Sequence, residues 1–350
     1  MRQAAAPHVP DAVADVEQLE DLLSEPTERA VEAAAGLDGD LMLLGAGGKM
    51  GPTLARMARR AADAAGSRRR VLAVSRFSDR GLEERLRAAG VETLRCDLLD
   101  PAQLAALPDV PNVLFMTGMK FGSTGQEART WAMNCLLPGL VCQKFRGSRI
   151  VAFSTGNVYG LSPVARGGSA ETDPLDPVGE YAQSCVGRER IFEHFSRSLG
   201  MPTALLRLNY AVELRYGVLV DLAQRVQAGE PIDLAMGCFN ALWQADANAM
   251  ALCAFAHAAS PPFVVNLAGP EVLSVYRVAA EFGRLFGKAA TFRGSEAPDA
   301  LLSNGQLGHR LFGYPRVGPG QMMLWIADWL RRGGPTLGKP THFEARDGRF

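Results

Sequence analysis

Glycines 45, 48 and 51, in the run LLGAGGKMG, are the first residues in the chain whose type and spacing can do chemistry. They stand where a strand-like LMLL passes into a helical PTLARMARRAADAA. Glycine at the first position permits a tight turn, at the second it lets the backbone approach a pyrophosphate, and at the third it lets helix and strand pack closely. The free N–H groups of the helix N-terminus then bind the anion. A glycine triplet alone also fits a plain strand-to-helix turn, but its place here favours a dinucleotide loop made of Gly45, Gly47, Gly48, Lys49, Met50 and Gly51. The following strand ends VLAVSR, so Ser75 and Arg76 stand where a protein preferring NAD carries an acid for the ribose 2′-hydroxyl. An arginine there pairs with a 2′-phosphate, which favours NADP over NAD; the alternative is a solvated surface arginine. Asp97, followed by Leu98 in RCDLLD, is placed to accept from an adenine amino group or, alternatively, to cap the helix that starts near Pro101.

The elements that must position these residues follow a regular alternation. Apolar runs of strand length at Leu41–Leu44, Val71–Ser75, Glu92–Arg95, Asn112–Met116, Arg149–Ser154, Thr203–Leu208 and Phe263–Leu267 are separated by helical periods near 52–65, 80–89, 126–146 and 180–199. That pattern predicts an α/β fold with a Rossmann-like, doubly wound parallel sheet. After about residue 209 the alternation loosens, with helices near 216–228, 246–259, 274–287 and 321–332, as expected of a smaller C-terminal substrate lobe. The expected division is an N-terminal helical extension over 1–38, a nucleotide-binding domain over 39–209, a substrate lobe over 210–334 partly interwoven with the sheet, and a tail over 335–350. Residues 1–12 read as loose, and 13–36 as two acidic, alanine-rich helices broken at Pro26.

Composition narrows the function classes. The chain has 350 residues, 47% hydrophobic and 21% charged, which excludes collagen-like and wholly disordered classes. Thirty-seven basic residues balance 37 acidic ones, so net charge gives no reason to expect a nucleic-acid or membrane partner. Only five of the basic residues are lysines, at 49, 120, 144, 288 and 339, so a lysine near a site stands out. Six scattered cysteines without a C-x-x-C pair, and five histidines without ligand spacing, predict no metal site. The start of the chain lacks the apolar core of a secretory signal, and the longest apolar stretches fall short of the ~18 residues of a membrane span; a cytoplasmic protein with reduced thiols is expected.

Three further features coincide: a Ser-Thr strand end in AFSTGNVYG, Tyr181 in GEYAQSCVGRE, and LRLNYA after the next strand. With the glycine loop they resemble the extended short-chain dehydrogenase/reductase family, the NAD-dependent epimerase/dehydratases that act mainly on sugars and nucleotide sugars. The resemblance runs from about residue 41 to 287. It implies a seven-stranded nucleotide-binding fold, an adenine-contacting role for Asp97, a substrate-orienting hydroxyl at Ser154 or Thr155, an acid/base role for Tyr181, and correspondence of Asn134 with the asparagine of the fourth helix. It also sets the loop TGMKFGSTG, with Thr117, Gly118 and Lys120, beside nicotinamide and substrate.

The family motif is Y-x-x-x-K, and Cys185 stands where the lysine belongs. That lysine holds the nicotinamide ribose and lowers the tyrosine pKa from about 10 toward neutrality, which a neutral thiol does not do. Lys120 stands equally to replace it or to bind substrate, with a surface position as the lesser alternative; Arg188, one turn beyond Cys185, is a weaker replacement because arginine does not give up its proton. Cys185 keeps the register of a cofactor contact, and a buried structural cysteine is favoured over a nucleophile. Gly156 and Asn157 replace the Asp-Glu pair of sugar dehydratases, which argues against dehydration.

The expected function is therefore an NAD(P)-dependent epimerase or dehydrogenase/reductase acting on a small carbohydrate: a sugar, nucleotide sugar or sugar-like polyol. Asn157, Tyr159, Asn209, Tyr210 and Arg215 are the expected substrate contacts, and a homodimer is the expected assembly. The alternative is a catalytically degenerate dinucleotide-binding sensor or partner protein. Asp246 reads as an N-cap, Trp325 and Trp329 as core, and the cluster His342, Glu344, Arg346 and Asp347 as a solvated tail, with folding over the substrate as the alternative.

Overall fold

A computed structural model of the chain describes residues 10–120, 122 and 124–348; most of the expected loose N-terminal tail lies outside the described residues. Two short helices come first, α1 (Val16–Leu23) and α2 (Glu28–Ala35), each started by a side chain that satisfies an orphan amide: Asp15 accepts from Gln18 N and Thr27 from Ala30 N. Their buried faces, Leu19, Leu23 and Ala30, pack against the helix that follows the glycine loop and against a later one, so the extension thickens one side of the sheet.

That sheet has seven parallel strands: β1 (Leu41–Leu44), β2 (Val71–Ser75), β3 (Glu92–Arg95), β4 (Asn112–Phe115), β5 (Arg149–Thr155), β6 (Thr203–Leu208) and β7 (Phe263–Leu267). Their order across the sheet is β7-β6-β5-β4-β1-β2-β3. The chain starts in the middle, winds outward to β3, returns to β4 and winds the other way, so the strand order reverses between β1 and β4. A crevice opens at the strand C-termini there. Both faces are covered, which is why LMLL is apolar throughout: Leu41 and Leu43 enter one core layer, Met42 and Leu44 the other.

Helix α3 (Gly51–Ala64) leaves the glycine loop, and α4 (Arg80–Ala88) and α5 (Pro101–Ala105) follow β2 and β3. The helix expected over 126–146 is interrupted: α6 (Glu127–Trp131) runs into a π-helical turn (Ala132–Leu136) before α7 (Leu137–Lys144). Helix α8 (Gly179–Leu199) carries Tyr181.

After β6 the chain forms α9 (Val218–Ala228), α10 (Gln244–Cys253), α11 (Val275–Phe286), α12 (Gln306–Phe312) and α13 (Pro319–Arg331), and it returns to the sheet edge as β7. Trp325 and Trp329 are core, each with its indole N–H on a backbone carbonyl, Pro10 O and Pro335 O respectively. Two expectations change. Asp246 does not cap α10; its carboxylate accepts from Arg316 N, Arg316 Nε and Val317 N and pins the 314–318 loop. Nor does the segment after α13 lie solvated on the surface: Thr341 and Phe343 are each 1% exposed, Phe343 faces Phe239, and Thr341 donates through N and Oγ1 to Asp221. Glu344 and Arg346 are likewise paired, with Arg225 and Asp299. Among the described residues no helix is long and apolar enough to cross a membrane, and no cluster of ligating side chains could hold a metal ion.

Candidate active site

Two adjoining cavities occupy the crevice at the strand C-termini. The larger, about 410 Å3, runs along the ends of β1 to β4 and is walled by Gly45, Gly47, Gly48, Ser75, Arg76, Asp97, Leu98, Thr117 and Gly118. The glycines meet the demands of the turn. Gly45 has φ +92°, and a methyl group on it would press on Thr117; one on Gly47 would collide with Ser75 Oγ; one on Gly51 would enter the backbone of Ala46. Asp100, not Asp97, caps α5, accepting from Ala102 N and Gln103 N. Asp97 is thereby left at the cleft wall, its Oδ1 taking only the near amide of Leu99. Arg76 is exposed at the rim beside Ser75. This set, with room for backbone approach at the loop and hydrogen-bonding groups at the far end, fits a dinucleotide.

The smaller cavity, about 140 Å3, brings together Ser154, Thr155 and Asn157 from the end of β5, Tyr181 from α8, Asn209 and Tyr210 from beyond β6, Lys120 from the loop after β4, and Tyr216 and Thr341. Lys49 and Met50 also line it. Sequence position assigned both to the cofactor loop; the backbone of that loop does face the cleft, but at 49 and 50 the side chains turn the other way. The ammonium of Lys49 lies 3.2 Å from the centroid of the Tyr216 ring, on its face.

Tyr181 reaches the cavity from the first turn of α8. Burial pushes its pKa up, Cys185 adds to that, and Arg188 and a hydrogen bond with Thr155 act in the opposite direction. Lys120 Nζ lies 5.8 Å from the Tyr181 ring centroid and 5.9 Å from that of Tyr210. Desolvation pulls its pKa down to about 8, against the pull of Cys185 and Asp221. Arg188 is buried, donates to Phe153 O at 2.9 Å and to Asn134 Oδ1, and abuts Gly118, where a side chain would strike its guanidinium. Asn134, turned inward by the π-helical turn, clasps the backbone of Met119 from both sides, Oδ1 accepting its N–H and Nδ2 donating to its carbonyl.

Beneath the cavity runs a buried polar chain. Ser154 Oγ donates to Glu189 Oε1 at 2.6 Å. Glu189 pairs in two-pronged fashion with Arg207, at 2.7 and 3.0 Å. Arg207 donates to Tyr159 OH, which donates in turn to Asn266 Oδ1. The Ser154 proton is thus committed to a carboxylate, so toward the cavity its oxygen is an acceptor.

Three expected contacts lie elsewhere. Tyr159 does not line the pocket, because its ring and hydroxyl are consumed by Arg207 and Asn266. Arg215 turns from the cavity to bridge Glu213 and Glu20 of α1, drawn by two carboxylates. Cys185 is fully buried behind Tyr181 and packs with Val158, lining neither cavity. Glu189, Arg207, Tyr216 and Thr341 were not singled out from the sequence. A signal for Glu189 exists: Tyr181, Cys185, Arg188 and Glu189 fall at helical spacing on one face of α8, an unusually polar stripe for a helix that packs on a sheet.

A model of the NAD dependent epimerase/dehydratase family matches residues 41–235. No curated protein sequence matches the chain. Solved structures with a similar fold include MoeE5 in complex with UDP-glucose and NAD (TM-score 0.66, 21% identity, 84% of this chain and 99% of that one). Two others are UDP-glucuronic acid 4-epimerase from Bacillus cereus with UDP-glucuronic acid and NAD (0.69, 17%, 84% and 99%) and DesIV, a dTDP-glucose 4,6-dehydratase from Streptomyces venezuelae, with NAD and TYD (0.70, 17%, 84% and 97%). At these identities the likeness is one of fold.

Proposed function

Because the chain belongs to the NAD dependent epimerase/dehydratase family, we propose that it is a nicotinamide-dinucleotide-dependent oxidoreductase or epimerase of a sugar or sugar-like polyol, with Tyr181 as acid/base. The observation that carries this reading is Lys120, whose ammonium shares the Tyr181 cavity and returns a positive charge to a site where Cys185 has removed one.

Gly45, Gly47 and Gly48 would hold the pyrophosphate, Asp97 and Leu98 the adenine, and Thr117 and Gly118 the nicotinamide end. Ser75 and Arg76 would face the adenosine ribose, where the arginine and the absence of a carboxylate favour NADP over NAD. A bound nicotinamide dinucleotide supplies two-electron exchange with a substrate carbon. The chain's own part is proton handling and orientation. A phenol held protonated by burial is a donor toward an oxygen gaining negative charge, and the positive charges of Arg188 and Lys120 stabilise the phenolate that results. Lys120, with a pKa pulled down to about 8, can return the proton. Ser154 accepts from a substrate hydroxyl, since its own proton is held by Glu189. Dehydration is disfavoured: among the described residues lining the cavity none is Asp or Glu, and at Gly156 even a methyl would press on Asn209 and Ser303 Oγ.

Tyr181→Phe tests this assignment. Turnover on a sugar and polyol panel should fall by about 10²–10⁴ while dinucleotide affinity is unchanged; retention of full turnover would sink it. Cys185 also favours a second reading, a dinucleotide-binding sensor that has lost catalysis. Passage of deuterium from labelled dihydronicotinamide into any substrate would exclude that reading.

A further inference from the structure

Arg149 opens β5 at the end of the sheet away from the crevice, and strand alternation sets its side chain with Val151 and Phe153 on the face covered by α2 and α10. Among the described arginines that are not exposed, it alone makes no side-chain hydrogen bond or ion pair, and its Nε is shut off from solvent without an acceptor. A guanidinium taken out of water in this way is costly, and an anion that reaches it removes the cost.

The side chain lines a pocket of about 310 Å3 between β5, α2 of the N-terminal extension and the turn Ala254–His257 after α10. Arg29 of α2 shares the wall, with Nη1 on Leu311 O and no other bond among the described residues. His257 adds an imidazole, its ring against those of Phe263 and Phe312. Glu32 is the one acid among the described lining residues; it is exposed and pairs with neither arginine, so two guanidinium groups face one carboxylate. Leu37, Cys253 and Phe255 are buried and give the pocket an apolar side.

The residues outside the described ones do not supply the acid. Residues 1–9, 121, 123, 349 and 350 contain no Asp or Glu. Gly348 lies against Gly179 at the start of α8, where the strands finish. The seven residues of β5 put about 20 Å between that end and Arg149, and two residues of chain reach only about 7 Å.

We infer that this pocket binds a small organic anion, a carboxylate or phosphate on an apolar body, with its charge on Arg149 and Arg29 and its body against Leu37 and Phe255. The planar fork of arginine suits both oxyanions. Because Arg29 belongs to the extension and Arg149 to the sheet, the bound anion ties one to the other and stabilises the fold. The pocket shares no residue with the dinucleotide cleft or the Tyr181 cavity, so this site stands or falls separately from the proposed function.

With NADP or NAD at saturation, so that the glycine loop is filled, calorimetric titration would compare benzoate with benzamide and phenyl phosphate with phenol. At least one anion should bind about tenfold or more tighter than its neutral counterpart and raise the melting temperature. Which anion does so separates carboxylate from phosphate as the natural group. Arg149→Leu should abolish the preference and leave dinucleotide affinity unchanged, and its ligand-free melting temperature should not fall, since no partner is orphaned. Arg149→Lys should retain part of the preference. Equal binding of charged and neutral members, no binding by any of them, or a preference undiminished in Arg149→Leu would overturn the inference. If Arg149→Leu fails to fold, Arg29→Gln, on an exposed helix position, carries the same test: a several-fold loss of preference is expected, and an unchanged preference would overturn the inference.

Discussion

The dinucleotide cleft lies at the ends of four neighbouring strands, β1 to β4, and the residues that shape its loop are glycines chosen for what they lack. The cavity beside it is a third of the volume and is walled by large, polar and charged side chains brought from six separate stretches between Lys49 and Thr341. A site made of backbone needs only a local turn and a strand order that opens a crevice. A site made of side chains needs every supporting element in register, and its chemistry depends on what lies beneath: Glu189 and Arg207 fix the proton of Ser154, and Arg188 supports Gly118 and Asn134. The cleft should therefore tolerate changes outside its loop, whereas the cavity should respond to changes that never touch a ligand.

The largest expected effect tests that dependence. Glu189→Ala leaves the buried Arg207 guanidinium without its carboxylate and should cost about 3–5 kcal/mol of stability, read as a lowered denaturation midpoint. A change below about 1 kcal/mol, the worth of a typical exposed pair, would show that the cavity does not lean on this chain. A second, smaller effect comes from the cavity lysines. Lys49 and Lys120 titrate near 7 and 8 in the folded protein and near 10.5 when unfolded, so between those values the unfolded chain holds more protons and rising pH favours the folded state. Glu213, Lys120, Asp221 and Lys339 face Lys49, and Cys185 and Asp221 face Lys120; the carboxylates do not titrate between pH 7 and 9 in the unfolded chain, and the Cys185 thiol, which does, is present in both proteins of the comparison below. The melting temperature of the ligand-free protein should therefore rise from pH 7 to 9 relative to Lys49→Met, and parallel profiles would refute the lowered pKa. The smallest effect belongs to the cleft. Arg76→Ala, at an exposed rim, should weaken NADP binding only a few-fold and leave NAD unchanged; equal loss of both would end the case for NADP.

The same contrast decides what could be read from the sequence. Strands β1, β2, β6 and β7 have the expected bounds, because buried parallel strands are apolar runs cut off by glycine, proline or charge, and that is a local property; the edge strand β3 has them too, although only Thr93 of its four residues is buried. The glycine loop was legible for the same reason. Lys49 was not, since spacing places a residue on a loop but does not say which way its side chain turns. Tyr159 and Arg215 were drawn away by partners far along the chain, Asn266 and Glu20, and no local pattern reports such a pairing. Thr341 closes the cavity from a segment with no helical or strand period, held by Asp221 and by the burial of Phe343.

The π-helical turn at Ala132–Leu136 can be understood as a shift of phase. An α-helix advances roughly 100° per residue, and one extra residue in a single turn rotates everything before it by about that angle relative to everything after it. With the rotation in place, one helical run faces two directions at once: Asn134 reaches inward to Met119 at the end of the cleft, while Trp131 is left outside, donating from Nε1 to Glu180 Oε2 beside Tyr181. Deleting one residue there would restore a regular helix and let it grip only one of these two partners.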